Sequence, residues 1–148
     1  MTKADVDRLV RDRKLRRVAP DPETAQHEIE TARRHIASAD KILEDDPTLA
    51  FTALYDSMRK AISAHMRSHG YRVTRGSGGH VKTGEYAVAA LDHLPIASHL
   101  DEFDVLRNLR NQSEYEALRV DLEEVREALT HAQAIVEAIA LDLGERTV

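Results

Sequence analysis

The chain has no cysteine and no tryptophan in its 148 residues, and aromatics make up only 4%. Without thiols there is no disulfide, no thiolate metal ligand and no cysteine nucleophile. With so few rings, the core must be built from Ala, Leu, Ile and Val. Glycine and proline number six and four, too few for a collagenous, low-complexity or loop-dominated chain. No apolar run reaches the ~20 residues that span a bilayer, and no secretory leader or lipidation motif is recognisable. A cytoplasmic location and no membrane partner are therefore expected.

What is present points to ordered helices. Charged residues make up 32% and apolar ones 42%, a balance that can fill one hydrophobic core at this length. The net charge of −5 hides an asymmetry. Residues 1–19 carry +4, residues 65–82 carry another +4 with no acid among them, and the remainder carries −13. Local basic patches of this kind can meet nucleic acid on an acidic protein.

Periodicity divides the chain into a charged N-terminal helix or arm over residues 1–19 and a bundle over 20–148. The arm has a short apolar stripe of Val6, Leu9 and Val10, and its helix is expected to run from Thr2 to about Arg17. Asp21-Pro22 is an N-cap followed by proline at the first helical position, and Asp46-Pro47 repeats the signal. Ala25, Ile29, Ala32, Ile36, Ala39 and Leu43 recur at spacings of four and three, a narrow helical seam. Phe51, Leu54, Met58, Ile62 and His65 form a second, ending near Gly70. Residues 70–80 hold four of the six glycines and read as a basic loop. A helix is expected from near Val81 to Pro95, and another from His99 to about Ala117. The last begins at the Asp121/Glu124 capping box and is closed by Gly144. No segment shows strand alternation. The expected fold is all-α, an up-and-down bundle of four main helices plus the N-terminal one.

Chemistry concentrates at Arg107-Asn108-Leu109-Arg110-Asn111-Gln112-Ser113-Glu114-Tyr115. On a helix Arg107, Arg110 and Glu114 share a face. Arginine presents a planar fork of donors suited to phosphate, and asparagine adds a neutral donor and acceptor. The same spacing also serves an Arg110–Glu114 ion pair worth ~0.3–0.5 kcal/mol if exposed, and for Arg107 the intrahelical reading leads. Candidate RNA contacts are Arg72, Arg75, His80, Arg107 and Arg110; candidate catalytic residues are Arg110, Asn111 and Tyr115. His65 and His69 have a zinc-compatible i, i+4 spacing but no acidic third ligand near them in the sequence. The loop ending at His80 lacks the Lys-Ser or Lys-Thr of a phosphate-binding loop. No metal or other cofactor is expected.

These elements together resemble the HEPN superfamily, small helical bundles of prokaryotic toxin–antitoxin and defence modules. The resemblance spans most of the chain. It rests on Leu54-Tyr55-Asp56-Ser57-Met58-Arg59-Lys60-Ala61, the Gly70-Tyr71-Arg72-Val73 turn, the glycine loop ending at His80, and Arg110-Asn111 before the last helix. It implies a homodimer whose late helices bring an arginine and a histidine to a shared cleft, where active members cleave RNA without metal. In the family pattern four to six residues separate that arginine from the histidine. Here the corresponding positions hold Tyr115, Glu116 and Ala117 counted from Arg110, and Gln112, Ser113 and Glu114 counted from Arg107. Tyrosine, with a pKa of about 10, replaces histidine poorly as a proton carrier. The resemblance also raises nucleotide modification of a tyrosine such as Tyr115, for which ordinary packing against the last helix is the favoured alternative. Three readings follow: a binding protein for RNA or a partner protein, a metal-independent endoribonuclease toxin using His80 or His99, and an antitoxin that grips a nucleotidyltransferase through its basic N-terminal helix.

Overall fold

A computed structural model describes the backbone of residues 3–76, 78–115 and 119–146, and the side chains of residues 5–76, 78–113 and 119–144. The fold is all-α. Helices α1 (Lys3–Arg11), α2 (Pro22–Ile42), α3 (Pro47–Ser68), α4 (Gly79–Leu91), α5 (Ala97–Asp101), α6 (Phe103–Tyr115) and α7 (Leu122–Arg146) are joined by one antiparallel ladder, β1 (Leu15–Arg17) with β2 (Tyr71–Val73).

Local chemistry sets the helix starts. The Asp21 carboxylate accepts from the Thr24 amide at 3.1 Å, Asp46 from Leu49 at 3.2 Å and Asp121 from Glu124 at 2.8 Å. Each satisfies an amide that has no partner inside its own helix. The seam of α2 is buried at Ala25, Ile29, Ala32 and Ala39, and α7 packs on both α2 and α3 through residues such as Val125, Ala132, Val136 and Ile139.

The centre of the molecule is α3. It touches α2, α7, α4, α6 and β2, and it is buried at Ala50, Phe51, Leu54, Tyr55, Ser57, Met58, Ala61, Ile62, Ala64, His65 and Met66. Alanine and serine at four of these positions let neighbouring helices come close. Its open strip runs through Leu49, Thr52, Asp56, Arg59, Ser63 and Arg67, residues three or four apart and therefore on one face.

Several expectations need correction. The N-terminal helix stops at Arg11 rather than Arg17: Arg13 turns the chain at φ +58°, and residues 15–17 become a strand. Three residues are too few for alternation to be read, so both strands were invisible to periodicity. Val6, Leu9 and Leu15 lie in the core. The segment from His99 divides into α5 and α6 at Glu102. Gly144 does not close α7, which continues to Arg146; one glycine costs a helix only about 1 kcal/mol.

Gly70 holds the ladder to the end of α3. Its φ is +81°, and a Cβ there would stand 2.8 Å from the Val18 carbonyl oxygen, while its own carbonyl accepts from the Val18 amide at 2.9 Å. Gly70→Ala would combine backbone strain with a collision against main chain. It is expected to lower stability by about 1–3 kcal/mol, read as an earlier midpoint in urea denaturation.

Candidate functional site

Where α3, the start of α4 and α6 meet, the surface opens into a cavity of about 290 Å³. Tyr55, Asp56 and Arg59 come from α3, His80 from the first turn of α4, Arg110 from α6 and His35 from α2. The glycine segment delivers His80: Gly76 and Gly78 have φ of +116° and +82°, a left-handed conformation that side-chain-bearing residues rarely adopt. The chain thereby reverses and begins α4 one residue before His80.

His80 Nδ1 lies 2.8 Å from the Tyr55 hydroxyl, and the two rings are nearly parallel. Tyr55 is almost wholly buried, stacks on Phe103 and carries the Arg110 guanidinium 5.9 Å from its ring centroid. Burial, opposed by the charges of Arg59, Arg107 and Arg110, pushes the Tyr55 phenol up to about 12. The hydroxyl thus keeps its proton and can both give and accept a hydrogen bond. His80 is moved the other way. Burial first, then the positive charges of Arg59, Arg110 and Arg107, hold its imidazole below the usual histidine range, with Asp56 opposing. A neutral imidazole beside several guanidinium groups is the result.

The cations are held in place. Arg59 donates to Asp56 at 2.6 Å, while Lys60 and His35 reach the other carboxylate oxygen at 3.6 and 3.3 Å. Burial works against the charge on Asp56, but the hydrogen bond and charge of Arg59, with Lys60 and His35, outweigh it and keep the carboxyl below its ordinary value. Arg110 donates to the Asn111 side-chain oxygen at 3.5 Å.

The residues singled out in the sequence are therefore distributed unevenly. Arg110 and His80 share the cavity. Asn111 does not line it but touches Arg110. The Tyr115 side chain, and the Glu114 carboxylate proposed to pair with Arg110, lie outside the described residues. Arg107 donates to Asp104 at 3.4 Å, yet its charge reaches Tyr55 and His80. Arg72 lines a neighbouring cavity and Arg75 stands exposed in the loop before α4. His99 is engaged elsewhere, with its Nδ1 2.8 Å from that of His131. His65 and His69 stack at 4.0 Å, and His65 bridges Tyr86 and Asp142. No group of three or more His, Asp or Glu among the described residues could hold a metal ion. Tyr55, Asp56 and Arg59 were missed as site residues. Asp56 and Arg59 lie off the apolar seam of α3, on its open strip, and Tyr55 is buried in the core, so helical spacing alone does not mark them as a site.

The HEPN domain model matches residues 25–143. The chain belongs to the HEPN family. Comparisons with curated proteins and with solved structures gave no match. The match takes in every residue of the cavity, and the two histidines of this HEPN chain's cavity come from α2 and from the start of α4, not from α6. No helix among the described residues is long and apolar enough to cross a membrane.

The electrostatics can be tested directly. In an NMR titration the His80 imidazole should change protonation below the ordinary midpoint of about 6.5, and Arg110→Ala should raise that midpoint. The sign for stability follows. Because protonation is harder in the folded state, the His80 contribution is complete above about pH 6.5 and is lost as pH falls from there through the folded-state value.

Proposed function

We propose that this HEPN protein binds RNA at the Arg59–His80–Arg110 cavity and cleaves it without metal, as an endoribonuclease of a toxin–antitoxin or defence module. The observation that carries this reading is the 2.8 Å contact that holds a neutral His80 beside Tyr55, in a cavity flanked by Arg59 and Arg110. Arginine forks bind a backbone phosphate, and a histidine of low pKa is able to take a proton at neutral pH. With Nδ1 on the Tyr55 hydroxyl, Nε2 remains for substrate. When Nδ1 donates to the phenol oxygen, the Nε2 lone pair is free to act as a base.

In the proposed reaction Nε2 removes the 2′-hydroxyl proton as that oxygen bonds to phosphorus. The bond from phosphorus to the 5′ oxygen breaks, the departing oxygen takes a proton from water, and the hydroxide left behind takes the proton held on Nε2, which restores the neutral imidazole. The products are a 2′,3′-cyclic phosphate and a 5′-hydroxyl. Arg59 and Arg110 offset the charge that develops on the phosphoryl oxygens. The family reading also makes the active form a homodimer. The rival, an antitoxin that grips a nucleotidyltransferase through its N-terminal helix, has less support: Val6 and Leu9, the apolar stripe of that helix, are buried in this chain's own core.

The experiment is cleavage of total RNA and tRNA by the purified protein in EDTA. Wild type should cleave, and His80→Ala and Arg110→Ala should each lose about 100-fold or more. The log rate should rise with pH up to the lowered His80 midpoint and level off above it. Cleavage unchanged in both variants would sink the proposal. RNA binding that Arg110→Ala abolishes, without cleavage in any form, would leave a phosphate-binding site and remove the catalytic step.

A further inference from the structure

The cavity that holds His80 has a second histidine, which the reaction above leaves without a role. His35 lines it from α2. The His35 Nδ1 is buried and stands 3.3 Å from Asp56 Oδ2, as a charge contact rather than an aligned hydrogen bond. Yet 36% of the side chain is exposed. Nδ1 and Nε2 lie on opposite sides of an imidazole ring, so the open edge is the one that carries Nε2. His80 is placed in the same way, with Nδ1 taken up by the Tyr55 hydroxyl. Two imidazoles therefore bring an Nε2 to one cavity of about 290 Å³.

Their surroundings are opposite in charge. His80 stands among the guanidinium groups of Arg59, Arg110 and Arg107 and is held neutral. His35 faces a carboxylate. Asp56 stays ionised against the effect of burial, held by Arg59 and then by Lys60 and His35. That attraction is mutual, so the carboxylate favours the imidazolium form of His35. An imidazolium is a donor at both nitrogens, with Nδ1–H toward Asp56 and Nε2–H toward the cavity. Arg59 at 2.6 Å and Lys60 at 3.6 Å also meet Asp56. His35 can therefore give up a proton without leaving the carboxylate unpaired. Two titratable groups in contrary surroundings mark an acid and a base.

We infer that His35 is the general acid of the cleavage proposed above, an assignment that rests on that reading and deepens it by naming the carrier of the leaving group's proton. As the 2′ oxygen bonds to phosphorus, its proton passes to His80 Nε2. The bond from phosphorus to the 5′ oxygen breaks, and that oxygen takes the proton on His35 Nε2. Water then protonates His35, and the hydroxide left behind takes the proton held on His80. Both imidazoles return to their starting forms, and the proton that water supplies reaches the 5′ oxygen through His35. A departing alkoxide is strongly basic, so a positioned donor lowers the barrier to its release.

The test uses the whole chain and two forms of an RNA strand that wild type cleaves. One is natural, and the other has sulfur in place of the 5′ oxygen at the mapped cleavage position. A thiolate, whose conjugate acid has a pKa of about 8.5, departs without a proton, whereas the natural alkoxide needs one. His35→Ala and His35→Gln should each slow the natural strand about 100-fold and the sulfur strand less than about threefold. Retained activity on the sulfur strand also shows that the variants are folded. His80→Ala should slow both strands, because either leaving group needs the base. Glutamine keeps a donor for Asp56 but has no proton to transfer. If His35 acted only by supporting Asp56 and Arg59, glutamine would restore the natural strand and alanine would slow both strands alike. Either result, or His35 variants that cleave the natural strand at the wild-type rate, would overturn the acid and leave the His80–Arg110 site standing. A wild type that cleaves no RNA ends the endoribonuclease reading and the role of His35 with it.

Discussion

The burial of α3 constrains everything else in this molecule. Helices α2, α4, α6 and α7 and strand β2 all pack on it, and eleven of its 22 residues are buried. A helix surrounded in this way reaches solvent along the gap its neighbours leave. Thr52, Asp56, Arg59, Ser63 and Arg67 occupy that gap, and both cavities open onto it. The same packing that stabilises the bundle therefore lines up the chemistry, and small residues such as Ala50, Ser57, Ala61 and Ala64 keep the gap narrow.

The buried phenol of Tyr55 is the second constraint. A hydroxyl removed from water costs free energy comparable to a lost hydrogen bond unless it finds a partner. His80 is that partner, and the bond also fixes how the imidazole faces the arginines. Stability and electrostatics are thus coupled at one contact. The burial that raises the Tyr55 phenol also lowers His80, because each group is favoured in its neutral form. Of the two arginines in the cavity, Arg59 is tied to a carboxylate, while Arg110 has the neutral Asn111 as its described side-chain partner.

How far the fold could be read from sequence followed the range of the interactions. The caps at Asp21, Asp46 and Asp121 are contacts over three residues, and all were legible. The seam of α2 was legible because one helical period writes it repeatedly. The ladder was not, since Leu15 pairs with Val73 across 58 positions and three residues carry no period. At the site, Arg110 stood out as part of a doubled Arg-Asn pattern. Its relation to His80 did not, because spacing within α6 holds no information about a histidine thirty residues upstream. Counting forward from the arginines found no histidine; the fold brings one from the opposite direction along the chain.

That rearrangement bears on what a missing motif residue means. A proton carrier is defined by where its nitrogen sits and what shifts its pKa, not by its distance in sequence from an arginine. His80 reaches the cavity only because the segment before α4 turns through two glycines of positive φ, Gly76 and Gly78, and because Tyr55 offers a hydroxyl at the end of that turn. Neither Gly76 nor Gly78 has a neighbour within 4 Å of the position a Cβ would take, so space does not require them. Backbone conformation does, and the conformation they permit is the one that points the start of α4 toward α3. The histidine, the turn and the phenol therefore form one device, and a change at any of the three alters where the imidazole stands relative to Arg110.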